Sequence, residues 1–169
     1  TAIDPGYVYT HQNRPQPLGR PTPGTLQARG NRDKVLLFTK VGARNHAGER
    51  DNTAAWIVEG VEESLRRLQT DYIDLYQTHW LDGKTPQEET LGAYEKLVAA
   101  GKVRVLGASN FNTAQLREAL DISARNGWPR YESVQNEYNL YDRAPFEQVQ
   151  DLCVAEGIGG IHYYSLARG

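Results

Sequence analysis

The sequence lacks the features that mark membrane-spanning, nucleic-acid-binding or disulfide-stabilised proteins. No apolar run approaches the roughly 20 residues that a membrane-spanning helix needs. Lys and Arg number 19 against 21 Asp and Glu, and no block of like charge indicates a nucleic-acid partner. The single cysteine, Cys153, excludes an internal disulfide, and we expect a small buried side chain rather than a catalytic thiol. The composition predicts one globular domain in a reducing cytoplasm, without membrane or nucleic-acid partners and with its oligomeric state open.

Two common site motifs are also missing. No Gly-x-Gly-x-x-Gly follows a predicted strand, and the glycines of residues 157–160 lack that spacing, so a Rossmann dinucleotide site is not expected. No Cys-x-x-Cys occurs, and no metal-ligand spacing is found among the histidines, which are His11, His46, His79 and His162. We therefore expect no metal site.

Short β-rich apolar runs alternate with amphipathic helical stretches from Val35 onward. The predicted strands are Val35–Thr39, Tyr72–Thr78, Val103–Ala108, Ser133–Glu137 and Ile158–Tyr163. Helices are expected to begin near Thr53, at a capping box on Thr85, after Asn112 as N-cap, and at Pro145. Because every path between strands contains a helix, the pattern predicts a parallel α/β sheet.

Polar residues fall at the carboxyl end of each predicted strand. The loops at those ends converge on one mouth in parallel α/β folds, which is where such proteins carry their chemistry. The residues are Asp4 and Tyr9 after a strand remnant at 1–3, Lys40, His79, Ser109 with Asn110, Gln135 within its strand, and Tyr163. Taken one at a time, each residue also has a non-functional interpretation. Lys40 could be a solvated loop lysine, His79 a structural histidine, and Asn110 a helix cap. Because all of these residues are expected at the same edge of the sheet, we interpret them together as one functional site.

Four of these residues suit the reduction of a carbonyl group. Tyr9 is the candidate proton donor, although a free tyrosine has a pKa of about 10. A cation within hydrogen-bond range lowers that pKa by stabilising the tyrosinate, and Lys40 supplies the cation. Asp4 then pairs with the lysine ammonium, while His79 donates a hydrogen bond to the carbonyl oxygen.

The other rim residues suit a nicotinamide ring. Ser109, Asn110 and Gln135 offer donors and acceptors for a carboxamide, and Tyr163 offers a flat face for stacking. Hydride chemistry therefore uses the whole set, whereas hydrolysis leaves the amides and the stacking ring without a role. The loops at the mouth contain aromatic candidates for substrate contact such as Trp80, which we expect to pack against the rim or to stack on the substrate. They show no evident charged residue that would hold a substrate.

Four long motifs resemble the aldo-keto reductase family, of the bacterial type, over nearly the whole chain. They span residues 39–42 (TKVG), 71–80 (DYIDLYQTHW), 107–111 (GASNF) and 134–140 (VQNEYNL). The resemblance implies a (β/α)₈ TIM barrel that reduces aldehydes or ketones with NADP(H), with NAD(H) as the alternative. It assigns the family's catalytic tetrad to Asp4, Tyr9, Lys40 and His79. It assigns the carboxamide contacts to Ser109, Asn110 and Gln135.

Two departures from the family pattern leave alternative residues open. The family shows Asp-Thr-Ala-x-x-Tyr, but the residues after Asp4 differ, so Tyr7 competes with Tyr9 for the role of acid. The offset from Asp4 favours Tyr9. Near the end of the chain, an ungapped match selects Tyr163 as the stacking ring, whereas alignment of the Tyr-Ser pair selects Tyr164.

The predicted strands account for the end of strand two through strand seven of such a barrel, so residues 1–169 are interpreted as a single partial barrel domain. Strands one and eight, which pair in a closed barrel, are missing, and we expect a longer native protein, the alternative being an inactive fragment. Ser165, Leu166 and Arg168 are expected to begin the site for the cofactor's pyrophosphate. The expected function is NAD(P)H-dependent reduction of a small carbonyl compound. The alternative is a non-catalytic, cofactor-binding regulatory subunit of the same fold.

Overall fold

A computed structural model of the chain describes residue 30 and residues 32–167. In this part five strands alternate with four α-helices, and a short 3₁₀ helix at Arg32–Lys34 precedes them. In chain order they are β1 (Phe38–Val41), α1 (Ala54–Leu68), β2 (Ile73–Thr78), α2 (Gln87–Ala99), β3 (Val103–Ser109), α3 (Thr113–Asn126), β4 (Tyr131–Glu137), α4 (Ala144–Glu156) and β5 (Gly159–Tyr163). The predicted site residues that lie outside the described part are Asp4, Tyr9, its rival Tyr7, and Arg168.

The five strands form one parallel sheet, and their order in the sheet is their order in the chain. The predicted parallel α/β sheet is therefore confirmed. Sequential order is that of neighbouring strands in a (β/α)₈ barrel, whereas a doubly wound sheet reverses its order at a switch point. The register between β3 and β4 shifts at Leu106 and Gly107, an irregularity of the kind that bends a sheet.

The first strand begins later than the apolar pattern predicts. Leu37 donates its backbone N–H to Oδ2 of Asp74, 2.9 Å away, so a side chain replaces the partner that a strand would supply. The ladder begins one residue later, where Phe38 is in register with Leu75. Val35 and Leu37 remain buried, which explains why the sequence before β1 has the apolar character of a strand.

Two rim residues lie inside strands rather than directly after them. Lys40 belongs to β1 and is in register with Gln77 of β2. Ser109 is the last residue of β3, because its pairing with Gln135 extends the ladder beyond the predicted end. Both residues stay at the carboxyl end of the sheet, so the predicted edge is right although the predicted strand ends are wrong.

One face of the sheet packs against the helices, and α1 approaches it closely at Gly60. A Cβ on Gly60 would lie 2.8 Å from Cγ2 of Val41 and 3.0 Å from the hydroxyl of Tyr76, so a larger residue would push the helix away. The predicted apolar stripe of this helix is buried, and consists of Ile57, Val61, Leu65 and Leu68. Val41 and Tyr76 therefore face the helices, and their strand neighbours face the other side of the sheet.

Of the two predicted helix caps, Asn112 is confirmed and Thr85 is wrong, and the helix predicted to begin near Thr53 is capped by Thr53 itself. Thr53 caps α1, and Asn112 caps α3 in a capping box with Gln115, with contacts of 2.9 and 3.0 Å. Thr85 instead donates its hydroxyl to Asp82, 2.7 Å away, and α2 begins without a side-chain cap. The bond to Asp82 holds the Thr85 side chain in the preceding loop, and Pro86, which has no side-chain acceptor, occupies the N-cap position.

Asp74 joins two arginines near the amino ends of the strands. Its Oδ2 lies 2.9 Å from Arg32 and its Oδ1 lies 2.8 Å from Arg104. Both guanidinium carbons are 3.9 Å from the centroid of the Tyr72 ring. Arg32 also donates to the backbone carbonyls of Val35 and Tyr72, each at 2.8 Å. The cluster therefore fastens the start of β1 to the start of β2.

Replacement of Asp74 by Asn is expected to lower the free energy of unfolding by about 3 kcal/mol, because removal of one partner leaves buried charge uncompensated. This is the low end of the usual range, since Arg104 is 56% exposed and water screens it. Equilibrium urea denaturation measures the loss. Glu59→Gln, which removes the exposed partner of His46, is the control and should change stability by less than about 1 kcal/mol. Equal losses of unfolding free energy in the two variants would contradict the stabilising role assigned to Asp74.

Candidate active site

A chain of hydrogen bonds runs along the carboxyl ends of the strands. The backbone N–H of His79 donates to the carbonyl of Val41 at 2.7 Å. Nδ2 of Asn110 donates to the carbonyl of His79 at 3.0 Å, and the hydroxyl of Tyr163 donates to Oδ1 of Asn110 at 2.5 Å. The ends of β1, β2, β3 and β5 are thereby held at one edge.

Asn110 is the centre of this rim. Its φ of 60° lies in the left-handed region, where asparagine is enriched among non-glycine residues. Nδ2 donates both to the carbonyl of His79 and, at 3.1 Å, to Oγ of Ser109. The Ser109 hydroxyl donates in turn to the carbonyl of Gln135 at 2.8 Å, which adds the end of β4 to the rim. The residue that caps the following helix is Asn112, so Asn110 has a different role.

Lys40 and His79 lie at neighbouring strand ends, as predicted. Lys40 is in register with Gln77, two residues before His79 in the chain. Strand alternation puts Lys40 on the face opposite to Val41, which packs against α1. Lys40 therefore belongs to the face that forms the interior of a barrel, and both Lys40 and His79 are half-buried.

Three polar side chains on this interior face have buried atoms without hydrogen-bond partners among the described residues. They are Nε2 of Gln77, Oγ of Ser133 and Oε1 of Gln135. A Cβ on Gly107 would lie 2.9 Å from Cγ of Gln77 and 2.5 Å from Oγ of Ser133, so the glycine leaves room between these two side chains. An unpaired buried polar atom costs about 1–3 kcal/mol, and such groups suit a bound polar ligand or ordered water. Gln77 and Ser133 are absent from the predicted site. The signal for Gln77 is an amide in a strand whose residues are all buried.

Three tyrosines pack behind the rim as structural groups. The hydroxyls of Tyr94 and Tyr131 each lie 2.8 Å from Oγ1 of Thr78, the residue before His79. Burial raises the pKa of Tyr76, Tyr94 and Tyr131 above the ordinary tyrosine value, which makes them poor proton donors. The hydroxyls of Tyr94 and Tyr131 therefore support the end of β2, and none of the three tyrosines is suited to supply an acid.

Tyr163 and Tyr164 occupy different environments at the end of β5. Tyr163 is in register with Glu137 and has the same strand parity as Ile161, which pairs with Gln135, so it belongs to the interior face. Tyr164 follows the strand with a φ of 56°, and its ring centroid lies 5.1 Å from that of Tyr163. The interior position favours Tyr163 over Tyr164 as the stacking ring.

The remaining predicted cofactor residues of the described part lie beyond this rim. Ser165 and Leu166 are exposed in the turn after β5, where Ala167 donates its backbone N–H to the carbonyl of Tyr164 at 2.8 Å. None of the hydrogen bonds of the rim involves them.

Other kinds of site find no support in the described residues. Burial raises the pKa of the Cys153 thiol, which disfavours the reactive thiolate and fits a packing role. In residues 30 and 32–167, no group of three His, Cys, Asp or Glu side chains can hold a metal ion. The helices of that same part are too short or too polar to cross a membrane.

Reciprocal hydrogen bonds join the two loops that follow Lys40 and His79. The backbone N–H of Asn52 donates to Oδ2 of Asp82 at 3.0 Å, and the backbone N–H of Asp82 donates to Oδ1 of Asn52 at 2.7 Å. Burial acts to raise the pKa of Asp82, but hydrogen bonds from Thr85 and from backbone amides outweigh it, and the net pKa is lowered. The carboxylate therefore stays charged and holds the two loops together.

Gly42→Ala is expected to destabilise the protein by about 1–3 kcal/mol more than Gly48→Ala. Both glycines have left-handed φ values, 90° and 84°. A Cβ on Gly42 would lie 2.5 Å from Nδ2 of Asn52 and 3.2 Å from the carbonyl of Trp80, whereas a Cβ on Gly48 meets nothing within 4 Å. The difference between their unfolding free energies isolates the packing of the two loops. Equal losses would show that Gly42 is needed only for its backbone conformation.

The aldo/keto reductase family model matches the chain over residues 1–169. The chain belongs to the aldo/keto reductase family. Its parallel sheet of five strands alternating with helices is therefore part of an aldo-keto reductase barrel, and the predicted incomplete (β/α)₈ fold is confirmed.

Several relatives in the family are similar over much of this chain. Aldo-keto reductase YhdN of Bacillus subtilis is 37% identical over 171 residues, which cover 100% of the chain and 49% of YhdN. Versiconal hemiacetal acetate reductase of Aspergillus parasiticus is 38% identical over 113 residues, or 67% of the chain and 33% of the relative. A solved structure assigned provisionally as a 2,5-diketo-D-gluconic acid reductase B is 34% identical, with a TM-score of 0.74, over 88% of the chain and 49% of that structure. The chain thus spans about half the length of YhdN and of the solved structure.

Proposed function

We propose that the protein carrying this chain reduces aldehydes or ketones to alcohols with NADP(H), NAD(H) being the alternative cofactor. The observation that carries the proposal is the hydrogen-bonded rim, in which His79, Asn110 and Tyr163 are tied together at one edge of the sheet. Membership of a reductase family and the names of the relatives, which include a hemiacetal acetate reductase, support the same class of reaction. We also propose that residues 1–169 belong to a single barrel domain, and that the protein acts in the cytoplasm, where its cysteine stays reduced.

The amide groups of the rim fit a nicotinamide carboxamide. Oε1 of Gln135 is buried and has no partner among the described residues, so it can accept a carboxamide N–H. Oδ1 of Asn110 accepts from Tyr163 and keeps a second lone pair, and the Ser109 hydroxyl, which donates to a backbone carbonyl, can still accept. Tyr163 offers the stacking face.

We assign the pyrophosphate of the cofactor to the residues that follow β5. They are Ser165, Leu166 and Arg168. When bound, the reduced nicotinamide supplies a hydride to the carbonyl carbon of the substrate.

The catalytic roles in this proposal are those of a proton donor and its supporting groups. The Tyr9 hydroxyl gives its proton to the carbonyl oxygen, and His79 donates a hydrogen bond to the same oxygen. Lys40 lowers the pKa of Tyr9 by stabilising the tyrosinate, and Asp4 pairs with the Lys40 ammonium. The alcohol leaves with a new C–H and a new O–H bond, and the tyrosinate regains its proton from water.

Tyr9→Phe is expected to lower kcat for small aldehydes by about 10²–10⁴-fold, because general acid catalysis contributes a factor of that size. The affinity for NADPH should stay within about twofold, since the hydroxyl acts in the chemical step. NADPH oxidation with a panel of aldehydes measures turnover, and fluorescence titration measures cofactor binding.

Tyr7→Phe is the matched control, and we expect it to retain turnover. If Tyr7→Phe abolishes turnover and Tyr9→Phe leaves kcat unchanged, Tyr7 is the acid. If the unaltered protein binds NADPH tightly but oxidises it with no aldehyde, the regulatory-subunit alternative replaces the enzyme.

A further inference from the structure

Arg50 lies on the ring of Trp80, beside the candidate active site. Trp80 directly follows His79, and the centroids of the two rings are 6.1 Å apart with their planes inclined by 27°. The guanidinium carbon of Arg50 is 4.4 Å from the centroid of the Trp80 ring, which is within the range of a cation–π contact. The contact holds a long side chain on the loop next to His79.

The acidic side chains of the surrounding loops have other partners. Oδ1 of Asp51 accepts from the backbone N–H and the hydroxyl of the residue that caps α1, at 2.9 and 2.7 Å. Asp82 is held in the pair that joins the two loops, and Glu49 lies 3.6 Å from a lysine of the second loop. Arg50 itself is exposed and forms no ion pair within the described part of the chain. Its positive charge is therefore left without a carboxylate at this rim.

We propose that Arg50 selects carbonyl substrates that carry a carboxylate. The planar guanidinium presents paired N–H donors that match the two oxygens of a carboxylate, which makes arginine the residue suited to this recognition. The ring of Trp80 fixes the guanidinium on the loop next to His79, the residue that the proposed function assigns to the carbonyl oxygen. The inference rests on that function and adds the class of substrate. It also proposes a charged group for substrate contact at the mouth, where the sequence alone shows none that is evident.

The test compares 4-carboxybenzaldehyde with benzaldehyde, which differ in the charged group and share the reacting aldehyde. For Arg50→Gln, we expect kcat/KM for 4-carboxybenzaldehyde to fall about tenfold, mainly through KM, because the carboxylate contact is present before and during the reaction. For benzaldehyde, kcat/KM should stay within about twofold. In the unaltered protein, the preference for the carboxylate should weaken as salt is raised, since ions screen an exposed contact.

Arg44→Gln is the matched control. Arg44 lies on the same loop and is exposed, but it has no ring contact or ion pair among the described residues, so its replacement removes equal charge without touching Trp80. This substitution should leave kcat/KM unchanged for both aldehydes. An unaltered ratio of the two kcat/KM values in Arg50→Gln, or the same change in Arg44→Gln, overturns the inference. Failure of the unaltered protein to reduce either aldehyde defeats the proposed function instead.

Discussion

The carboxamide of Asn110 donates to the carbonyl of His79 and to Oγ of Ser109, while its oxygen accepts from the hydroxyl of Tyr163. These contacts link side chains and backbone from three strand ends, and the Ser109 hydroxyl carries the link to Gln135. The left-handed φ of 60° at Asn110 orients its side-chain amide toward these partners, and asparagine tolerates that conformation better than most residues. The positions of the groups proposed to bind substrate and cofactor therefore depend on one side chain that takes no part in the covalent steps of the proposed reaction.

The ion pairs that stabilise the sheet and the candidate site lie at opposite ends of the strands. Near the amino ends, Asp74 forms ion pairs with Arg32 and Arg104 and fastens two strands together. At the carboxyl ends, buried polar atoms of the interior face, on Gln77 and Gln135 among others, have no hydrogen-bond partner among the described residues, which is a cost to the fold that the proposed ligand would remove. This division is the one expected of a (β/α)₈ barrel, whose active sites lie at the carboxyl end.

Local patterns predicted the alternation of strands and helices, the parallel sheet and the edge that carries the candidate site, because these follow from periodicity and chain connectivity. They failed where a side-chain acceptor outside the expected pattern takes a local donor, whether from a neighbouring strand or from the preceding loop. Asp74 takes the backbone N–H of Leu37 and delays the start of β1, and the pairing of β1 with β2 continues through Val41, so that Lys40 lies within the strand. Asp82 takes the hydroxyl of Thr85 and removes the expected cap. The contact of Arg50 with Trp80 likewise joins two loops and has no counterpart in sequence spacing.

The most direct test is the turnover of Asn110→Gly, because glycine adopts a φ of 60° without strain and the substitution removes only the amide. We predict that kcat/KM for NADPH-dependent aldehyde reduction falls by at least about a hundredfold, as expected when reacting groups lose their alignment. Circular dichroism should confirm that the variant remains folded. A folded Asn110→Gly variant with kcat/KM within about threefold of the unaltered protein would contradict the central role of this amide.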